Sequence, residues 1–248
     1  MVQPFRLAFL VVFGAFLGCT PPAENLLKKG SSDLGSGITS ASSVDVRGEL
    51  RAQGSSLDTQ TRIIVESYGS TIKTYAKKYG FDWRLILAVM KQESGFIPQA
   101  ESERGASGLM QMMPYTSEEV GKVLEIEDMA HPMNNIRGGI FYLSKLYDFF
   151  EGADEPDRIR LTLAAYNAGP ARVYDAQDVA AYFRDNPRKW QSVKDALPLL
   201  SKRYYTLHRN VWADERPRAG WFGESRQTIA YVDKVMGYYE DYRLALNQ

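Results

Sequence analysis

The carboxylate best placed to do chemistry is Glu93. Trp83, Ile86, Leu87 and Met90 fall at i, i+3, i+4 and i+7, the spacing of one helical face, and Asp82 stands where it caps the start. Stepping about 100° per residue puts Glu93 beside Val89, at the margin of that face, so it is expected to be half buried. A carboxyl group there loses the hydration its charged form needs. Its pKa should rise toward the range in which it donates a proton near neutral pH, as a general acid must. A plain surface glutamate near a helix end is the alternative. Gly95 and Pro98 end the helix, and Gly105 and Gly108 let the following loop pack tightly or approach a ligand. In that loop Gln111 is one amide among Leu109, Met110, Met112 and Met113. A buried amide needs partners, either the hydroxyl and acetamido groups of a sugar or the loop backbone itself.

Several helices must position these groups. Ile64, Tyr68, Ile72, Tyr75 and Tyr79 repeat at three- and four-residue steps in a helix stopped by Gly80, read as packing. Thr116 to Glu119 is a capping-box pattern opening a short helix. His131 and Pro132 turn into a helix with a core stripe of Ile136, Ile140, Leu143, Tyr147 and Phe150, where Gly138 and Gly139 mark a close helix contact. Pro156 begins a helix that Gly169 and Pro170 stop. Its alanines allow close approach to the Glu93 helix, with Tyr166 and Asn167 projecting between the two; a simple C-terminal cap also explains Asn167. A last helix from about Thr228 to Leu246 carries Tyr231, Val235 and Tyr238 on one side. Clear strand alternation is missing, so the fold class is mainly α with at most a minor hairpin.

The 248 residues, 44% hydrophobic and 24% charged, suit one globular domain plus extras. Thirty basic residues balance thirty acidic ones, which argues against a nucleic-acid partner. With His131, His208 and a single cysteine, and no metal-binding motif, neither a metal nor another cofactor is expected. Residues 1–18 read as an export signal, with Arg6 ahead of an apolar run too short for an ordinary span. Residues 16–19 are similar to a bacterial lipobox, so Cys19 is the expected lipidation site and the membrane a partner; with Thr20 behind the cysteine, the outer membrane of a Gram-negative cell is expected. Residues 19–57, rich in Pro, Gly and Ser, read as a flexible tether to a catalytic domain at 58–248.

Glu93-Ser94, the Gly105–Pro114 run, Ala165–Gly169 and Tyr231-Val232, in that order, resemble the successive motifs of the lytic transglycosylase domain, itself similar to goose-type lysozyme. The likeness spans roughly residues 70 to 242 and is nearest to the membrane-bound F-type murein transglycosylases without their solute-binding-like module. Where the family usually has Glu-Thr, this chain has Gln227-Thr228. The resemblance implies a lysozyme-like helical fold with a groove for peptidoglycan glycan strands. It also implies an activity: cleavage of the β-1,4 bond between N-acetylmuramic acid and N-acetylglucosamine, leaving 1,6-anhydro ends. Glu93 would be acid and then base, and Ser102, Gln111, Met113, Tyr166, Asn167 and Tyr231 would line the groove. Two alternatives stand beside it: a hydrolase in which Glu101 or Glu103 positions water, and a noncatalytic wall-binding lipoprotein.

Overall fold

A computed structural model describes residues 57–246; the expected leader, Cys19 and nearly all of the tether lie outside them. Nine α-helices are described: α1 Thr59–Lys78, α2 Trp83–Ser94, α3 Pro114–Leu124, α4 Pro132–Asp148, α5 Glu155–Ala168, α6 Pro170–Tyr182, α7 Trp190–Ala196, α8 Tyr205–Val211 and α9 Ser225–Ala245. Short 3-10 turns at Leu197–Leu200 and Lys202–Tyr204 join α7 to α8. Extended pairing among the described residues is limited to isolated bridges, Glu101 with Ser107 and Ser107 with Met112.

The central element is α2. Asp82 caps it, accepting from the Arg84 backbone N–H at 2.9 Å, and Gly95 ends it in the left-handed region at φ 57°. Its apolar surface is wider than the expected single face: Leu85 through Met90 are all buried, so α2 is a core helix wrapped by others. Its main partner is α9, which also packs on α5. Between the Glu93 helix and α5, which were expected to approach closely, α9 packs on both, and Tyr166 of α5 reaches near enough to feel the Glu93 charge. Of the residues expected on the inner side of α9, Tyr231 and Val235 are buried while Tyr238 is half-buried; Val232 and Tyr242 are buried with them, as are the polar Ser225 and Thr228.

Two other boundaries differ. The helix expected to open at the Thr116 capping box begins two residues earlier, because Pro114 supplies a preset φ at its first position, and the Met113 side chain makes no capping bond. Pro170 does end α5, yet it also starts α6 at once, with Gly169 at φ 88° making the corner. The glycine pair on α4 is a close contact, though its nearest neighbours lie in loops rather than on another helix as expected. A Cβ on Gly138 would lie 2.3 Å from Met129 Cε, and one on Gly139 would lie 2.6 Å from Met110 Cβ. That contact seats the glycine loop directly against α4.

Candidate active site

Glu93 occupies the last turn of α2 and is half-buried, with the Tyr231 hydroxyl of α9 donating to its Oε1 at 2.6 Å. Burial lifts the Glu93 carboxyl from about 4.5 to about 8; the bond from Tyr231 opposes this rise without cancelling it. At neutral pH the group is therefore largely protonated. Tyr231 donates to Oε1, which leaves Oε2 as the oxygen available to carry the proton. Burial, and next the Glu93 charge, hold both Tyr166 and Tyr231 well above the ordinary tyrosine range, so both remain donors. This lowered hydration and the neighbouring phenols are what a carboxylic acid needs to protonate a leaving oxygen.

Tied to the end of α2 through Ser94 is the loop from Ala100 to Met113, and its shape is set by side chains spent on backbone. Ser94 Oγ donates to the Leu109 carbonyl at 3.0 Å. Asn135, fully buried in the first turn of α4, accepts from the Met110 N–H at 2.9 Å and donates to the Ser107 carbonyl at 3.1 Å. The Tyr166 hydroxyl donates to the Met110 carbonyl at 2.8 Å. Gln111, itself at φ 45°, gives its amide nitrogen to the Ala100 and Gly108 carbonyls at 2.9 and 3.0 Å. The Gln111 amide nitrogen thus serves the loop backbone. Ser102 accepts from the Ala106 N–H at 3.0 Å and closes the outer turn of the same loop.

The predicted site residues divide into three kinds. Glu93 and Tyr231 are in contact, and Tyr166 joins them by bracing the loop and by feeling the Glu93 charge. Ser102 and Gln111 act on the loop's own backbone, and Met113 is half-buried at the N-terminus of α3. Asn167 accepts from the Thr228 hydroxyl at 2.9 Å, linking α5 to α9 rather than capping its own helix, whose end belongs to Gly169. Glu101 and Glu103, the loop carboxylates of the hydrolase alternative, are exposed. Among the described residues no three His, Cys, Asp or Glu side chains are grouped to hold a metal. Sequence reasoning missed Ser94, Asn135 and Thr228. Asn135 carried a signal, a polar residue adjoining the apolar stripe of α4, but only the fold shows which carbonyl it meets.

Tyr231→Phe removes the one hydrogen bond that favours the Glu93 anion. Its pKa then rises further, so the alkaline limb of the activity profile moves to higher pH while turnover falls about tenfold, the scale of one charge-assisted bond. A pH profile of kcat for both proteins checks this; an unshifted limb would remove Tyr231 from the tuning of Glu93.

Residues 70–189 match the model of the transglycosylase SLT domain. The membrane-bound lytic murein transglycosylase F of Desulfosudis oleivorans is 36% identical over 170 residues, covering 68% of this chain and 35% of that protein. Its counterpart in Pseudoalteromonas translucida is 40% identical over 163 residues, covering 64% and 31%. The chain thus spans about a third of the length of these relatives. Among solved structures, an inactive mutant of the lytic transglycosylase Slt from Pseudomonas aeruginosa superposes with a TM-score of 0.53 at 28% identity, over 81% of this chain and 27% of that one. The 70 kDa soluble lytic transglycosylase of Escherichia coli gives 0.50 at 25% identity, over 71% and 24%. The Glu93 helix, the clamped glycine loop and Tyr166 fall inside the matched residues and Tyr231 outside them, so over residues 70–189, just under half of its length, the chain is similar to the transglycosylase SLT domain.

Proposed function

We propose that the chain is a peptidoglycan lytic transglycosylase that cleaves the β-1,4 bond between N-acetylmuramic acid and N-acetylglucosamine, with Glu93 as its catalytic residue. One observation carries the reading: a carboxyl group lifted to about 8 by burial, held by Tyr231, at the end of a core helix beside a clamped glycine loop. Glu93 Oε2 gives its proton to the glycosidic oxygen as the C1–O bond breaks, and the N-acetylglucosamine side leaves as an alcohol. The substrate's 2-acetamido group steadies C1. The resulting Glu93 carboxylate takes the proton of the muramic C6 hydroxyl, O6 closes on C1, and Glu93 is protonated again. Atoms balance without water. The C6 hydroxyl is tethered to the carbon it attacks, which replaces a bimolecular step by an intramolecular one.

Within this reading Ser102, Gln111, Met113, Tyr166, Asn167 and Tyr231 line the groove, with Ser102 and Gln111 also shaping the loop that borders it. The relatives named membrane-bound murein transglycosylases support a wall-facing, membrane-associated setting. The sequence adds an export signal at 1–18, lipidation at Cys19, a tether over 19–57 and a catalytic domain from 58 onward as proposals of the same kind. The test is product analysis: peptidoglycan digested by the full chain should release muropeptides one water lighter than hydrolysis products. Reducing-end products alone would reject the intramolecular step in favour of a hydrolase, and no release at all would favour the noncatalytic alternative.

A further inference from the structure

Trp221 is out of keeping with the other three tryptophans. Trp190 and Trp212 are buried at 6% and 7% exposure and Trp83 is half-buried, whereas Trp221 is 46% exposed. An exposed aromatic on a loose loop would need no explanation, but this loop is fixed on several sides. The Arg218 and Ala219 N–H groups donate to the buried Asp175 carboxylate at 3.1 and 2.8 Å. Gly220 N–H donates to the Pro217 carbonyl at 2.9 Å, and Phe222 N–H to the Leu200 carbonyl at 3.0 Å. The Phe222 ring is buried with the Arg172 guanidinium 4.4 Å from its centroid. Pro217, Ala219 and Phe222 thus go inward while the indole between them stays out, with the Lys202 ammonium 5.0 Å from its centre. The loop leads straight into α9: Glu224 is its N-cap, Thr228 meets Asn167, and Tyr231 lies seven residues on, about 10 Å along the helix. Arg172 in turn donates to the Ala168 carbonyl, next to Asn167.

We infer that Trp221 is a stacking platform for a pyranose ring of the glycan strand, at the α9 N-terminal end of the groove and remote from the scissile bond; this rests on the lytic reading above. One face of a pyranose ring presents C–H groups, which complement the electron-rich face of an indole, and a preordered aromatic binds without first losing rotamer freedom. The platform holds the strand in register so that the next bond reaches Glu93. The experiment measures binding of uncleaved glycan strands, stripped of their peptides, to a Glu93→Gln protein and to the same protein carrying Trp221→Ala or Trp221→Phe. The expected result is intrinsic fluorescence quenching in the parent, affinity about tenfold weaker with Ala, the scale of one aromatic contact, and most of the affinity regained with Phe. In the active enzyme the Trp221→Ala loss falls on KM rather than kcat. Equal affinity of the Ala variant and its parent overturns the platform, while anhydro products from the unsubstituted enzyme leave the lytic reading standing. A parent that binds no strands, with no anhydro products from the active chain, overturns both.

Discussion

Glu93→Gln is expected to abolish turnover by at least a factor of about 10²–10⁴, the contribution of a positioned acid and base, while leaving the protein folded. Gln keeps the shape of Glu and still accepts from Tyr231, so the hydrogen bond to α9 survives. The same variant carries a stability signature. The folded-state pKa of Glu93 is about 8 against an ordinary value of 4.5, so the folded protein keeps a proton that the unfolded chain releases between those values. The stabilisation from that retained proton is full below about 4.5, is lost as pH rises through the window, and is gone above about 8. Each unit is worth about 1.4 kcal/mol at the limit, and the partial exposure of Glu93 reduces the total to a few kcal/mol at most. Gln cannot ionise. The variant should therefore melt above the wild type at pH 9, with the gap closing toward pH 4.5. Thermal melts of both proteins across that range, beside a glycan-release assay, provide the check. Undiminished release by the variant removes Glu93 from the reaction, and parallel melting curves would mean that its pKa is ordinary.

The largest effect on folding is expected at Gly108. Its φ is +80°, and a Cβ would stand 2.5 Å from Cγ and Nδ2 of Asn135, the side chain that holds both Met110 N–H and Ser107 carbonyl. Asn135 is fully buried and has no room to yield without breaking one of those bonds. Gly108→Ala thus combines left-handed strain, overlap and a disturbed buried amide, for a destabilisation of about 2–4 kcal/mol. For a domain of this size that is a fall in Tm of about 10 °C. Gly95→Ala is the matched control. It also has positive φ, at 57°, but its Cβ meets nothing within 4 Å, so only the strain of about 1 kcal/mol remains. Urea titrations of the two variants separate the contributions, and equal midpoints would show that Asn135 does not confine the loop.

Much of the helical frame is legible in the residues because its causes are local. Asp82 before an apolar repeat, Gly95 after it and Pro132 at the head of α4 place helix ends within a residue or two, since caps and fixed φ act over one turn. The capping-box residues at Thr116 show the limit, for Pro114 imposed an earlier start that the box pattern did not reveal. Width of burial was less legible. The four spaced apolar positions of α2 mark one face, yet Leu85, Ala88 and Val89 are buried as well, because how much of a helix is covered depends on how many neighbours surround it. The same holds for α9, whose contact with α2 separates by well over a hundred residues what it brings together in space.

For the site, sequence by itself determined which groups have the right chemistry: an acid at the edge of an apolar helix, glycines free to turn, and an amide and phenols in the neighbouring motifs. Tertiary structure decided what each of them does. Tyr231 comes to 2.6 Å from Glu93, Asn167 is met by Thr228, and Gln111 spends its amide nitrogen on the loop rather than facing outward. The physical reason is range. Propensity, capping and periodicity act between residues a few positions apart, whereas dehydration of a carboxyl group and the pairing of buried donors depend on whichever distant elements close over them.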